Sequence, residues 1–177
     1  MANVQPVGVY PMRYLIVVGL LVLPLEALAQ LGGRANPTDR ADRRVAQALR
    51  AAGYSYTVDD DGDYAVTVRF REDNRTQLVW IASSTREIAG AEVRRVWSPA
   101  YKSTKPLSAS LARRLLEENL GTGIGYWAAA ETGGTTLVVF CTQVSADADP
   151  TILDAAIQAV AATADELEKE LLGSDDL

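Results

Sequence analysis

Histidine is missing from this 177-residue chain, and cysteine occurs once. The first absence removes Ser-His-Asp and Cys-His activation of a nucleophile, imidazole acid–base catalysis, and most zinc or iron sites. The second removes any intramolecular disulfide. Cys141 sits in the apolar run TTLVVFCTQV, where it reads as a small buried hydrophobe and not as a reactive thiol. Positive charge is also in deficit: 17 Lys and Arg face 23 Asp and Glu, a formal charge of −6. A general nucleic-acid binder needs a basic face to release phosphate counterions, so no nucleic-acid partner is expected. What the chain does have is apolar content, 48% of residues, enough for one real core.

The amino terminus carries an export pattern. In MRYLIVVGLLVLPLEALAQ, residues 12–30, Arg13 supplies a positive flank and residues 14–25 an apolar run. That run is shorter than the roughly 20 residues a membrane-spanning helix needs. Ala27-Leu28-Ala29 is an A-x-A cleavage signal, so cleavage is expected before Gln30; an uncleaved anchor is the alternative. No cysteine stands at that point to take a lipid. Met1 and Met12 are both candidate starts. The expected division is a signal peptide over 1–29, a linker over 30–37, a folded domain over 38–173 and a tail over 174–177. The expected location is the bacterial periplasm or outside the cell, with no stable membrane insertion after cleavage.

In the mature part, TDRADRRVAQALRAAG predicts a helix capped by Thr38 or Asp39 and stopped by Gly53. Strands are predicted over 54–58, 64–71, 76–83 and 91–97, with STREIAG as a turn and SPAYKSTKP as a loop. Residues 64–71 alternate strictly, with Tyr64, Val66, Val68 and Phe70 on one face. A second helix is predicted over 108–120, with Ser108 or Ser110 near its cap and Leu111, Leu115 and Leu116 on one face. Two further strands, 124–131 and 135–144, flank a TGG turn. Asp149-Pro150 then opens a helix reaching about Leu172. Its seam of Leu153, Ile157, Val160, Ala164, Leu167 and Leu171 alternates spacings of four and three, which suits packing on the sheet or, alternatively, a dimer contact. Hairpin-length connections make the sheet mostly antiparallel. The fold class is α+β: two layers, helices on one face, order α-β-β-β-β-α-β-β-α.

The most chemical-looking stretch is Asp59-Asp60-Asp61-Gly62-Asp63. An EF-hand loop needs glycine at its sixth position and glutamate at its twelfth, between two helices. Counted from Asp59, Gly62 falls at the fourth position and the flanks are strands. The stretch reads as a hairpin turn, and no metal or cofactor is expected. GTGIG, residues 121–125, follows a helix and opens a strand, the reverse of a dinucleotide fingerprint. No catalytic residue emerges and no enzyme is expected. The remaining enzyme hypothesis would pair Asp59 to Asp63 with Glu117 or Glu118. Arg69, Arg71, Arg75, Arg94 and Arg95 fall on or beside the second to fourth strands. If they share an outward face they form a cationic stripe, and Arg69, Arg71, Arg94, Arg95 and Trp97 are the candidate binding residues. Trp80, Trp97 and Trp127 are otherwise read as core.

The opening AQALRAAGYSYTVDDDGDYAVTV, the Trp80 strand, the passage LARRLLEENLGTGIGYWAAAETGG and the closing helix after Asp149-Pro150 resemble the YbjN family of bacterial sensory transduction regulators, over about residues 39–172. The resemblance implies a fold like that of type III secretion chaperones, and a non-enzymatic, often dimeric, protein-binding domain. The export signal departs from a cytoplasmic chaperone role. The expected function is therefore an exported, chaperone-like module for an unknown protein or peptide, with a homodimer as a second partner. A periplasmic carrier of a small molecule or lipid is the alternative, and a carboxylate enzyme comes third.

Overall fold

The computed structural model describes residues 40–177. Their order is α1 (Arg43–Ala51), β1 (Thr57–Val58), β2 (Tyr64–Arg69), β3 (Thr76–Ile88), β4 (Ala91–Ser103), α2 (Ala109–Glu118), β5 (Tyr126–Thr132), β6 (Thr135–Ser145) and α3 (Pro150–Leu171). The six strands form one sheet in the order β1-β2-β3-β4-β6-β5, and every pairing is antiparallel. The helices contribute to a single apolar core on one face of that sheet. The expected α+β, two-layer architecture is observed. The expected leader and linker lie outside the described residues. No described helix is long and apolar enough to cross a membrane.

Local chemistry accounts for the ends of the elements. Asp149 caps α3 by accepting from the N–H groups of Thr151 and Ile152, with Pro150 in the first turn. Ser108 caps α2 through Leu111 N–H. Gly53 follows α1 with φ +83°, the left-handed stop that glycine allows. The α1 cap itself is Asp42, which accepts from Arg44 N–H, and not Thr38 or Asp39, which precede the described residues. Several polar residues of TDRADRR can cap a helix. Asp42 is selected by tertiary contacts: its N–H donates to Ser83 Oγ and its carboxylate accepts from Arg94.

Several expectations need correction. The first strand is only Thr57–Val58, and β2 ends at Arg69, leaving Arg71 in the following turn. STREIAG is not a turn, because β3 runs to Ile88. Only Ala89 and Gly90 bend, at φ 51° and 82°, a tight two-residue connection. SPAYKSTKP is largely strand. Its proline has no N–H for the ladder, and the β4–β6 register shifts between Pro99 and Tyr101. Buried Gln77 spans the irregularity, donating to Ser98 Oγ at 2.9 Å and to Pro99 O at 2.6 Å, while Ser98 Oγ donates to Leu78 O.

The α3 seam is core. Ile157, Val160 and Ala164 are fully buried against the sheet, so this seam is not a dimer contact. In α2 only Leu115 is buried, and Leu116 is largely exposed. The tail is held: Arg75 donates to Ser174 O, Thr76 to Asp175, and the Asp176 and Leu177 N–H groups to Glu168 Oε1.

Candidate functional site

Side chains alternate across a strand, so register sorts every strand residue onto the helix-covered face or the open one. Tyr64, Val66, Ile81, Val79 and Val96 share the covered face. The open face therefore carries the row Ala65–Trp80–Trp97–Cys141–Tyr126, one residue from each of five adjacent strands. Among the described elements no helix packs on it. Trp80 and Trp97 stack with centroids 5.9 Å apart and planes at 16°, and both remain half-buried. They are not core residues as expected. Trp127 is core, edge-on to Phe140 at 4.9 Å. Cys141, between Trp97 and Tyr126 in the register, is 2% exposed, and burial pushes its thiol up to about 11. That leaves it protonated and inert.

The arginines divide between the faces. Arg69 and Arg95 lie on the open face and are exposed. Arg71 is exposed in the turn beyond β2 and belongs to no stripe. Arg94 and Arg75 are corrections. Arg94 falls on the covered face, 3% exposed, and donates to Asp42 at 2.6 Å and to the carbonyls of Ala82 and Ala146. Arg75 is buried against α3, 2.6 Å from Asp165 and 3.5 Å from Glu168. Both hold the fold together and cannot greet a partner. Arg86 was not foreseen. It lies on the open face opposite Val93, next to Arg95, because β3 continues through STREIAG instead of turning there. The continuing alternation Thr85, Arg86, Glu87, Ile88 was the available signal.

Arg86, Arg95, Tyr126 and Gln143, with Ala82 and Val93, line an open-face cavity of about 170 Å³. Lys102 shares this face, opposite Leu137. The strand carboxylates Glu87, Glu92 and Glu131 all take the covered side by register. Among the described residues, the ion pairs involve none of Arg69, Arg86, Arg95 or Lys102.

The acids are otherwise engaged. Asp59 Oδ1 accepts from the N–H groups of Asp61 and Asp63, an Asx turn within the hairpin. Gly62 has φ +89°, and a Cβ there would lie 2.9 Å from Arg40 Cβ, so only glycine fits. Asp63 Oδ1 accepts from Ser83 N–H, tying the turn to β3. Burial opposes charge on Asp42, but hydrogen bonds from Arg44 and Arg94 overcome it and hold its carboxyl well below the usual range. Hydrogen bonds from Arg44 and then Thr85 lower Glu92 to about 2. Glu117 and Glu118 pair with Arg113 and Arg114 on α2, beside β5, whereas Asp59 to Asp63 lie at the opposite edge of the sheet. Asp165, Glu168 and Asp175 have carboxylate oxygens within 4.8 Å of one another. The Arg75 guanidinium already supplies positive charge there, so the cluster reads as an ion-pair network. A short Gly125, φ +88°, opens β5; a Cβ would sit 2.5 Å from Cys141 O, which explains GTGIG as strand entry.

The YbjN family profile, described as "Putative bacterial sensory transduction regulator", matches residues 41–173. The chain belongs to the YbjN family. One solved structure that this YbjN domain resembles is a crystal structure of YbjN from E. coli, described as "a putative transcription regulator". It shares 12% identity, with a TM-score of 0.45 over 71% of this chain and 88% of that one. No curated protein matches.

Proposed function

We propose that this YbjN domain is a non-catalytic protein-binding module that works outside the cytoplasm, using the open face of its sheet. One observation carries the reading. The face presents a half-exposed aromatic row rimmed by cations with no ion-pair partner among the described residues, while the opposite face is closed by helices. Aromatic and arginine side chains are the usual anchors of protein interfaces. Export rests on the leader sequence, and the absence of histidine together with the engaged carboxylates supports a non-catalytic role.

The test places a photo-crosslinking residue at Gln143 on the open face or at Glu166 on exposed α3, in the exported protein. A reproducible protein captured from Gln143 and not from Glu166 supports the reading; equal capture from both positions removes it. Capture of a second copy from Gln143 identifies a homodimer. A leader fused to alkaline phosphatase, active only after export, checks the location.

The carrier reading has its own observation, an apolar groove of about 180 Å³ between α2 and β5, lined by Leu107, Leu115, Leu116 and Trp127. Mass spectrometry of the purified protein for a retained apolar molecule tests it.

A further inference from the structure

We propose that the open face takes an acidic segment of a partner protein, with apolar side chains on the Trp80–Trp97–Tyr126 row and a carboxylate between Arg86 and Arg95. The inference rests on the open-face reading above and adds the chemistry of the occupant. Charge is the argument. A chain of net charge −6 places four cations, Arg69, Arg86, Arg95 and Lys102, on the strands of one face and no strand carboxylate beside them. Chance neutralisation would leave mixed signs, as on the covered side, where Arg44 contacts Asp42, Glu92 and Asp147. Cations with no ion-pair partner among the described residues, gathered on one face of an acidic protein, complement a negative partner and repel the same cationic face of a second copy.

The geometry sets the scale of the recognised group. Arg86 and Arg95 come from paired strands and border the cavity of about 170 Å³ together with the Gln143 amide and Tyr126. That space admits an acidic side chain, and guanidinium groups bind carboxylates in forked pairs. Two other polyanions fit less well. A nucleic acid would feel the repulsion of the whole chain. A bilayer would need protruding apolar side chains, whereas Trp80 and Trp97 stack on each other within the sheet surface, half-buried.

The test selects binders from a random linear peptide library on the whole chain, in parallel with Arg86→Glu/Arg95→Glu. Both positions are exposed, so the double variant keeps its melting temperature. The expected peptides are rich in Asp and Glu around apolar residues. Their affinity falls about tenfold or more in the double variant, and is unchanged by Arg113→Glu on α2. Peptides without an acidic excess, or no peptides at all, overturn the proposal. So does binding of phosphatidylglycerol vesicles or single-stranded DNA through the same two arginines while acidic peptides fail. Crosslinking from Gln143 separates the two levels. If capture persists without acidic preference, only the occupant's chemistry falls; if capture is also lost, the open-face reading falls with it.

Discussion

Arg94 and Arg95 are neighbours in β4, yet the sheet puts them to opposite uses. Arg94 points to the covered side, where its guanidinium reaches the Asp42 carboxylate and two backbone carbonyls. Arg95 emerges on the open side among Arg86, Tyr126 and Gln143, with no ion-pair partner among the described residues. A buried charge persists only when paired and hydrogen-bonded, so Arg94 must have its partners. An exposed one has no such requirement. The contrast shows how to separate a structural arginine from a candidate binding one: by what already surrounds it. The same test sorts the tryptophans. Trp127 donates its indole N–H to Glu118 and lies in the core, whereas Trp80 and Trp97 rely largely on each other.

The contrast breaks most completely on the covered side. Ile157→Asp puts an unpaired charge at a fully buried position, and a loss of about 4 kcal/mol or more is expected. The variant should be unfolded by circular dichroism; a folded monomer would show that the seam is not core after all. Arg94→Met comes next. It leaves two carbonyls without their donor and weakens the hold on Asp42, for an expected loss of about 3 kcal/mol in urea unfolding. Arg95→Met should change stability by less than about 0.5 kcal/mol. Equal losses from the two substitutions would erase the distinction between the faces.

Acid sharpens it further. Glu92 has a folded pKa lowered to about 2 from 4.5, chiefly by Arg44, and Asp42 is lowered as well. A lowered folded value means stability that is present above the unfolded pKa and lost as pH falls through the folded one. The melting temperature should therefore drop between pH 4.5 and 2, with a shallower drop in Glu92→Gln. Glu168 acts with the opposite sign, because burial raises its pKa. Its contribution is fully present below 4.5 and fades as pH rises through the folded value. Glu168→Gln should therefore leave the loss between pH 4.5 and 2 unchanged and abolish a gain that the unaltered protein shows as pH falls toward 4.5.

Much of the covered layer was legible because its signals are local. The Asp149-Pro150 cap, the Ser108 cap, the Gly53 stop and the α3 seam each lie within one element, and each is found where expected. The open face was less legible because its facts are nonlocal. Strand β4 continues through Pro99 since Gln77, on β3, supplies the hydrogen bonds around the bulge. Trp80 and Trp97 alternate with Ile81 and Val96, and nothing in hydrophobicity says which of two apolar sets meets the helices. Arg94 and Arg95 show the same ambiguity: adjacency guarantees opposite faces, but the choice of face depends on pairing with β6.

The smallest effects belong to the acidic hairpin, and they divide its carboxylates. Asp59 accepts two backbone N–H groups, so Asp59→Ala removes a cap and should cost about 1 kcal/mol. Asp60 and Asp61 have no such bonds from their side chains among the described residues, and Asp61 takes part only through its N–H. Their joint replacement by Asn should leave the melting temperature nearly unchanged, with or without calcium. A calcium-dependent rise of several degrees in the unaltered protein, lost in that double variant, would make the turn a cation site. The backbone speaks against that: the carboxylate best placed to reach inward, Asp63, is already committed to Ser83 N–H, and Asp59 is committed to its own turn. Calcium would have to displace those bonds to collect its six to eight oxygens.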